Sequence, residues 1–351
     1  MQTVATAGGG GGAGGAPDGG GGGDGMSPGG PALERRIDEA VASLQSDTCF
    51  SQDDASQCQW ADYEVGPAQF DMARSTGEAI LVIDDFGAGL FPELVRYRNR
   101  MLGFYSVSGD QLEAQVLSVH LPARLGDALV SFAGPEFIPA SALSRVGVAA
   151  VATYGKLNLL YYGHGGVVFG HLVELVPEQP LVLLDMAHLF ELPPAVCQGI
   201  DDQTLAAAGA HYAAVAASLK QVMTKHNVRF INASFGSTAP TLATDWSRTC
   251  GSAVPSSELL GRLLHVYDPI YDLLFNSEGV VASHAAANLG SPADYPFDQV
   301  SAKYPNRARV GFISSLSSGL DDLGRGTGAD PCVYQDPIAH RQLEVYRLGY
   351  E

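Results

Sequence analysis

The sequence predicts an α/β fold, a three-layer sandwich around a mostly parallel central sheet, on three observations. Short strand-like runs at 79–83, 181–184 and 228–232, the first of them continuously apolar, each end in an acidic or polar residue, as buried parallel strands do. Longer segments with helical spacing separate them, and strand–helix alternation of this kind closes into a sheet with helices on both sides. Apolar residues make up 46% of 351, enough for a sizeable core.

Taken in order, the chain opens on a Gly-rich tether (1–32): 15 of the 42 glycines fall within 8–30. Such a stretch buries nothing and acts as a flexible linker. A small amino-terminal appendage (33–76) follows, with helical spacing at 33–44 and then a polar segment carrying Cys49 and Cys58. The main domain (77–351) starts with the strand AILVI, ending in Asp84–Asp85. An insertion at about 109–156, unassigned by pattern, is expected to form an extra lobe over the cleft. Residues 165–176 suit a buried helix, 181–184 a second strand ending at Asp185, 203–225 an Ala-rich helix and 228–232 a third strand. The apolar stripe Leu260, Leu263, Leu264, Tyr267, Ile270, Tyr271 and Leu274 marks one helix over 257–275, kinked at Pro269. Further strands are expected at 280–287 and 310–313.

Composition narrows the function classes. The formal charge is 20 − 38 = −18, which excludes a general nucleic-acid binder, since phosphate affinity rests on clustered Lys and Arg. No stretch is long and apolar enough to be a transmembrane segment. No signal peptide is visible, yet the tether and five cysteines point to a secreted or cell-envelope protein. Cys49–Cys58 is the first expected disulfide and Cys197–Cys250 the second; none of the five forms a CxxC pair, so zinc is disfavoured. Oligomeric state is open.

Parallel sheets place their chemistry at the carboxyl ends of strands. Those ends carry Asp84–Asp85, Asp185, Asn232–Ser234 and Asn288, and His164 stands before a Gly-Gly pair at the start of a helix. A buried Asp accepting from Nδ1 fixes a histidine's tautomer and leaves Nε2 as a general base.

These residues bring a family into view. AILVIDDFG (79–87) resembles the Asp motif of the subtilisin-like serine peptidases, and GHGGVVFGHLVELVP (163–177) resembles their His motif. FINASFGS (230–237) is similar to the strand lining their substrate cleft, and HAAANLG (284–290), with Tyr295-Pro296 after it, resembles the stretch bearing their oxyanion-hole Asn. The four motifs stand in the family's chain order over about 79–315. The resemblance implies a serine endopeptidase acting on a peptide or protein substrate. Asp84 would orient His164, His164 would act as base, and the Asn288 amide would donate to the oxyanion. Ser234, Phe235 and Gly236 would bind the peptide by strand addition, Phe235 walling a side-chain pocket. Asp85 would be structural, although a one-place shift would make it the triad acid. The family needs no cofactor; structural calcium is common in it, but no ligand loop is placed here.

One part of the pattern is missing. The family's Gly-Thr-Ser-x-Ala-x-Pro motif, which opens a buried helix with the nucleophile, does not occur; the nearest stretch is Gly326-Thr327-Gly328-Ala329-Asp330-Pro331. The expectation is a domain incomplete at its carboxyl end and inactive by itself, or else a non-catalytic peptide-binding protein of the same fold. ILVIDD and PLVLLDM (180–186) also resemble receiver domains of response regulators, with Asp185 as phosphoacceptor. In that compact fold, however, the two acids lie about half as far apart in sequence. Gly87–Gly89 makes a poor nucleotide-binding turn, because Pro92 breaks the helix that should follow. His164, His171 and His188 lack the spacing and carboxylate of a zinc site.

Overall fold

A computed structural model describes residues 30–48, 58–70, 77–133, 138, 140–154, 164–176, 178–235, 239–285, 304–312 and 342–345. Strand β2 (Ala79–Asp84) is its centre. All six residues of β2 are buried, as expected of a strand covered on both faces. Full burial of side chains such as Leu81, Val82 and Ile83 stabilises by about 1.5–3 kcal/mol each.

Around β2 lie β3 (Met101–Ser108), β4 (Gln111–Ala114), β6 (Leu181–Asp185), β7 (Val228–Ala233), β8 (Val281–Ala285), β9 (Arg307–Phe312) and β10 (Gln342–Val345). With β2 they form one eight-stranded sheet in the order β10-β9-β8-β7-β2-β6-β3-β4. Every neighbouring pair is parallel except the hairpin β3–β4. The order has a consequence for function. After β2 the chain runs outward to β3, returns to β6 beside β2, then crosses to β7 on the opposite flank and continues to β10. The direction of winding therefore reverses at β2, and in open parallel sheets ligands bind at the carboxyl edge where it does so.

Alternation along the strands divides the core into two layers. Ala79, Leu81 and Ile83 share a cluster with α6 (Asp202–Lys225), α7 (Ala239–Cys250), α8 (Ser257–Leu264) and α9 (Asp268–Asn276). Ile80 and Val82 face the other way, into a cluster with α1 (Pro31–Gln45), α2 (Phe91–Arg96), α3 (Ala123–Ser131), α4 (Ser144–Tyr154) and α5 (His164–Leu175). Helices on both faces of a mixed, mostly parallel sheet make an α/β architecture of three layers. Asp84 continues the Ile80–Val82 series, so its side chain belongs to the face that α5 covers.

Several expectations are redrawn. The stripe over 257–275 is two helices, α8 and α9, separated by a 3-10 turn at His265–Tyr267. Pro269 sits in the first turn of α9, where its missing N–H costs nothing, so it starts a helix instead of kinking one. The unassigned region 109–156 contains β4, β5 (Leu117–Pro122), α3 and α4. It meets the amino-terminal segment: β1 (Trp60–Val65) pairs antiparallel with β5, and Arg145 of α4 bridges Glu34 and Asp38 of α1 at 2.6 and 2.8 Å. Leu33, Ile37, Ala40 and Leu44 of α1 are buried in the same cluster as Ile80 and Val82. Among the described residues no helix is long and apolar enough to cross a membrane.

Candidate active site

The site is assembled where α5 meets the end of β2. Helix α5 is pinned at both ends. At its carboxyl end the buried Arg100 guanidinium donates to the carbonyl of Val173 in the last turn (3.1 Å) and to those of Val176 and Gln179 (2.8 Å) just beyond it. At its amino end Gly165 N–H donates to the Asp85 carbonyl at 2.9 Å. A Cβ on residue 165 would stand 2.7 Å from that oxygen and 2.7 Å from the Phe86 ring, so only glycine permits this approach.

The close approach brings His164 over Asp84. Its Nδ1 lies 2.9 Å from Asp84 Oδ1 and 3.1 Å from Oδ2, across 80 residues of sequence. Oδ1 also accepts from Asp85 N–H at 2.8 Å, while the Asp84 carbonyl accepts from Met186 N–H at 2.9 Å. The carboxylate is therefore held by donors on its own strand end and on α5. Its side chain is 1% exposed, against 67% for His164. A carboxylate facing Nδ1 assigns the proton there and leaves Nε2 directed outward as an acceptor. Among the described residues, Nδ1 is the only nitrogen of this ring with a hydrogen-bond partner. Chemically, this is an oriented base beside open space.

Asp185 stands next to Asp84 across the β2–β6 pair. Its carboxyl is pushed above the usual carboxylate range, first by burial and then by the Asp85 and Asp84 charges; the hydrogen bond from Ala187 N–H opposes this.

A cleft of about 610 Å³ begins at Asp85 and runs between the loop after β6 and helix α7. Met186, Phe190 and Phe235 supply apolar lining. His188 and Glu191 line one wall, paired at 2.7 Å; Asp245 and Arg248 line the other, paired at 2.9 Å. This size lies within the usual range for ligand sites, roughly 300–1,000 Å³. Neither wall was legible in the sequence. The loop follows a strand's carboxyl end, which is a usable signal, whereas 239–250 has no apolar run long enough to stand out as a helix over a cleft.

The predicted peptide strand lies in part within this picture. Ser234 N–H donates to the Ile83 carbonyl at 3.1 Å, and Ser234 Oγ accepts from Asn232 at 3.0 Å. The Phe235 carbonyl pairs with Nε2 of the buried His284 at 2.7 Å. These backbone groups are turned into the protein, so a peptide would meet only the alternate ones. The Phe235 ring, 5% exposed, packs on Phe190 and His284 at centroid distances of 4.9 and 5.1 Å. It lines the cleft while packed against these two rings. Gly236 and Asn288 lie outside the described residues. Strand β8, three residues before Asn288, ends two strands from β2, about 10 Å along the sheet at the usual strand spacing.

Cys197 and Cys250 are joined, with Cα atoms 5.1 Å apart. Cys58 is disulfide-bonded too; its expected partner, Cys49, lies outside the described residues. Among the described residues no three His, Cys, Asp or Glu side chains are grouped to hold a metal ion. No protein-family model, curated protein or solved structure matches the chain.

Proposed function

We propose that this chain carries the acid–base machinery and peptide cleft of a subtilisin-type serine endopeptidase. One observation carries the reading: a buried carboxylate and an exposed imidazole, 80 residues apart, meet at 2.9 Å at the point where the sheet reverses its winding. In the proposed mechanism His164 Nε2 accepts the proton of an attacking hydroxyl, and Asp84 stabilises the imidazolium that forms. The peptide lies over Ser234–Gly236 with a side chain in the cleft, and Asn288 donates to the oxyanion. No residue of this chain is assigned as nucleophile, so by itself it would bind peptide without forming an acyl-enzyme. No cofactor enters these steps. Disulfides at Cys197–Cys250 and Cys58 support placing the protein in an oxidising, extracytosolic compartment.

The missing Ser motif favours a second reading, a peptide-binding protein of the same fold without catalysis. The Asp84–Asp185 adjacency would also suit a phosphoacceptor module, but Asp84 is committed to His164, which that module does not require. Adding a pool of randomised decapeptides to labelled protein tests the shared claim. Amide shifts should concentrate at Met186–Leu192 and Ser234; shifts elsewhere, or none at millimolar peptide, would remove it. Applied to the full gene product, in which a Gly-Thr-Ser motif would supply the nucleophile, a fluorophosphonate probe then separates enzyme from binder. Labelling of a serine that is abolished by His164→Ala supports catalysis, whereas peptide binding without labelling supports the binder. Magnesium-dependent phosphorylation of Asp185 by a small phosphodonor would favour the third reading over both.

A further inference from the structure

We propose that the Cys197–Cys250 disulfide is a redox-dependent clamp on the cleft that begins at Asp85, holding its two walls at peptide-binding distance only while oxidised. The clamp on the walls is independent of any ligand; its service to peptide binding rests on the function proposed above. The two walls come from separate parts of the chain, the loop 186–192 and helix α7. Their charged pairs close within each wall: His188 with Glu191 on the loop, Arg248 with Asp245 on the helix. Neither pair reaches across.

The covalent link does. Cys197 lies in the 3-10 turn Pro194–Gln198, five residues past Leu192, and Cys250 is the last residue of α7, next to the cleft residue Thr249. The bond spans 53 residues of sequence and encloses α6, β7 and the Ser234–Phe235 strand end. Beneath the rim, Leu192, Val196, Leu242 and Trp246 are buried in the large core cluster. That packing keeps the fold when the bond opens, while the rim above it loses the covalent cross-link between its two walls. Both cysteines are half-buried, within reach of a small dithiol. A thiolate of the dithiol attacks one sulfur, breaking the S–S bond and forming a mixed disulfide as the other cysteine leaves and takes a proton. The dithiol's second thiol then displaces the first cysteine, leaving two protein thiols and an oxidised dithiol.

The test compares the oxidised chain, the dithiol-treated chain and the Cys197→Ala/Cys250→Ala variant, which leaves Cys58 oxidised. Amide exchange is followed at 186–192 and 245–250, in β2, and alongside affinity for the randomised decapeptide pool. Opening the clamp should speed exchange in both walls roughly tenfold and weaken peptide binding by about the same factor, with β2 and the His164 Nδ1–H tautomer unmoved. Unchanged wall exchange overturns the proposal. So does an equal acceleration in β2, which marks general destabilisation, or full peptide affinity despite loosened walls. If the walls respond but no peptide binds even the oxidised chain, the peptide reading falls and the clamp on the walls stands.

Discussion

Of the described histidine–carboxylate pairs at the carboxyl edge of the sheet, two lie at the adjacent ends of β2 and β6, and distance alone would favour the one not proposed as the base. His188 Nδ1 is 2.7 Å from Glu191, closer than His164 to Asp84 at 2.9 Å. The difference is in the acid. Glu191 is 58% exposed and sits three residues from its histidine on one loop, whereas Asp84 is 1% exposed and 80 residues away on another element. Water screens the first pair, and such pairs are worth about 0–1 kcal/mol. The second cannot be solvated, so its charge is held by the protein's own donors, Asp85 N–H and His164 Nδ1–H. An exposed imidazole on a buried, oriented acid is the arrangement the proposed proton transfer needs, and the mutually exposed pair lacks the buried acid.

The comparison breaks most sharply at Gly165. Gly165→Ala forces a methyl against the Asp85 carbonyl and Phe86, and should cost about 1–3 kcal/mol in denaturant unfolding. It should also lift His164 off Asp84, visible as loss of the Nδ1–H tautomer in imidazole nitrogen spectra. Gly170→Ala on the same helix meets nothing within 4 Å, so it should leave the tautomer unchanged and raise stability by about 0.5–1 kcal/mol. Asp84→Ala comes next: it strands Asp85 N–H and removes the acceptor of Nδ1, for a loss of about 1–3 kcal/mol. If the tautomer persists in that variant, Asp84 does not orient the ring.

These residues also show what could be read in advance. Asp84 and His164 were legible because each has a local signature, an apolar run ending in acid and a histidine before two glycines. Strand alternation then predicts which face Asp84 occupies. The cleft was not legible, because its walls have no common pattern: their juxtaposition depends on the crossing from β6 to β7, a property of topology. β3 and β10 escaped for a different reason. MLGFYSVS carries a Gly and two serines within its apolar run, and QLEV is too short to register. The helix over 257–275 was misjudged because Pro269 has the same sequence signature whether it interrupts a helix or begins one.

Titration sharpens the contrast between buried and exposed groups with smaller effects. His226, whose Nε2 pairs with Tyr105 at 2.7 Å, is held down to about 4 by burial and then by Lys225. Its unfolded value is near 6.5, so between those limits the unfolded chain binds more protons and stability falls as pH drops through the window. His226→Gln should flatten that slope in unfolding measured from pH 7 to 4. Asp185 acts in the opposite sense. Its raised value means that the folded state pays for ionisation near neutrality and recovers the loss as pH falls toward about 4. Asp185→Asn should therefore raise the melting temperature at pH 7, with the gain vanishing at and below pH 4.

The smallest expected effect is the control that the comparison depends on. Glu191→Gln removes the charge from the closer pair, yet both partners are more than half exposed and joined over three residues. Water replaces what the carboxylate supplied, so the change in stability should stay within about 0.5 kcal/mol, and the His164 tautomer should not respond. Peptide affinity should shift only through charge on the cleft wall, and that shift should weaken as salt is raised. A salt-insensitive loss of stability as large as that of Asp84→Ala would mean that burial does not separate the two pairs, and the choice of His164 as base would lose its physical ground.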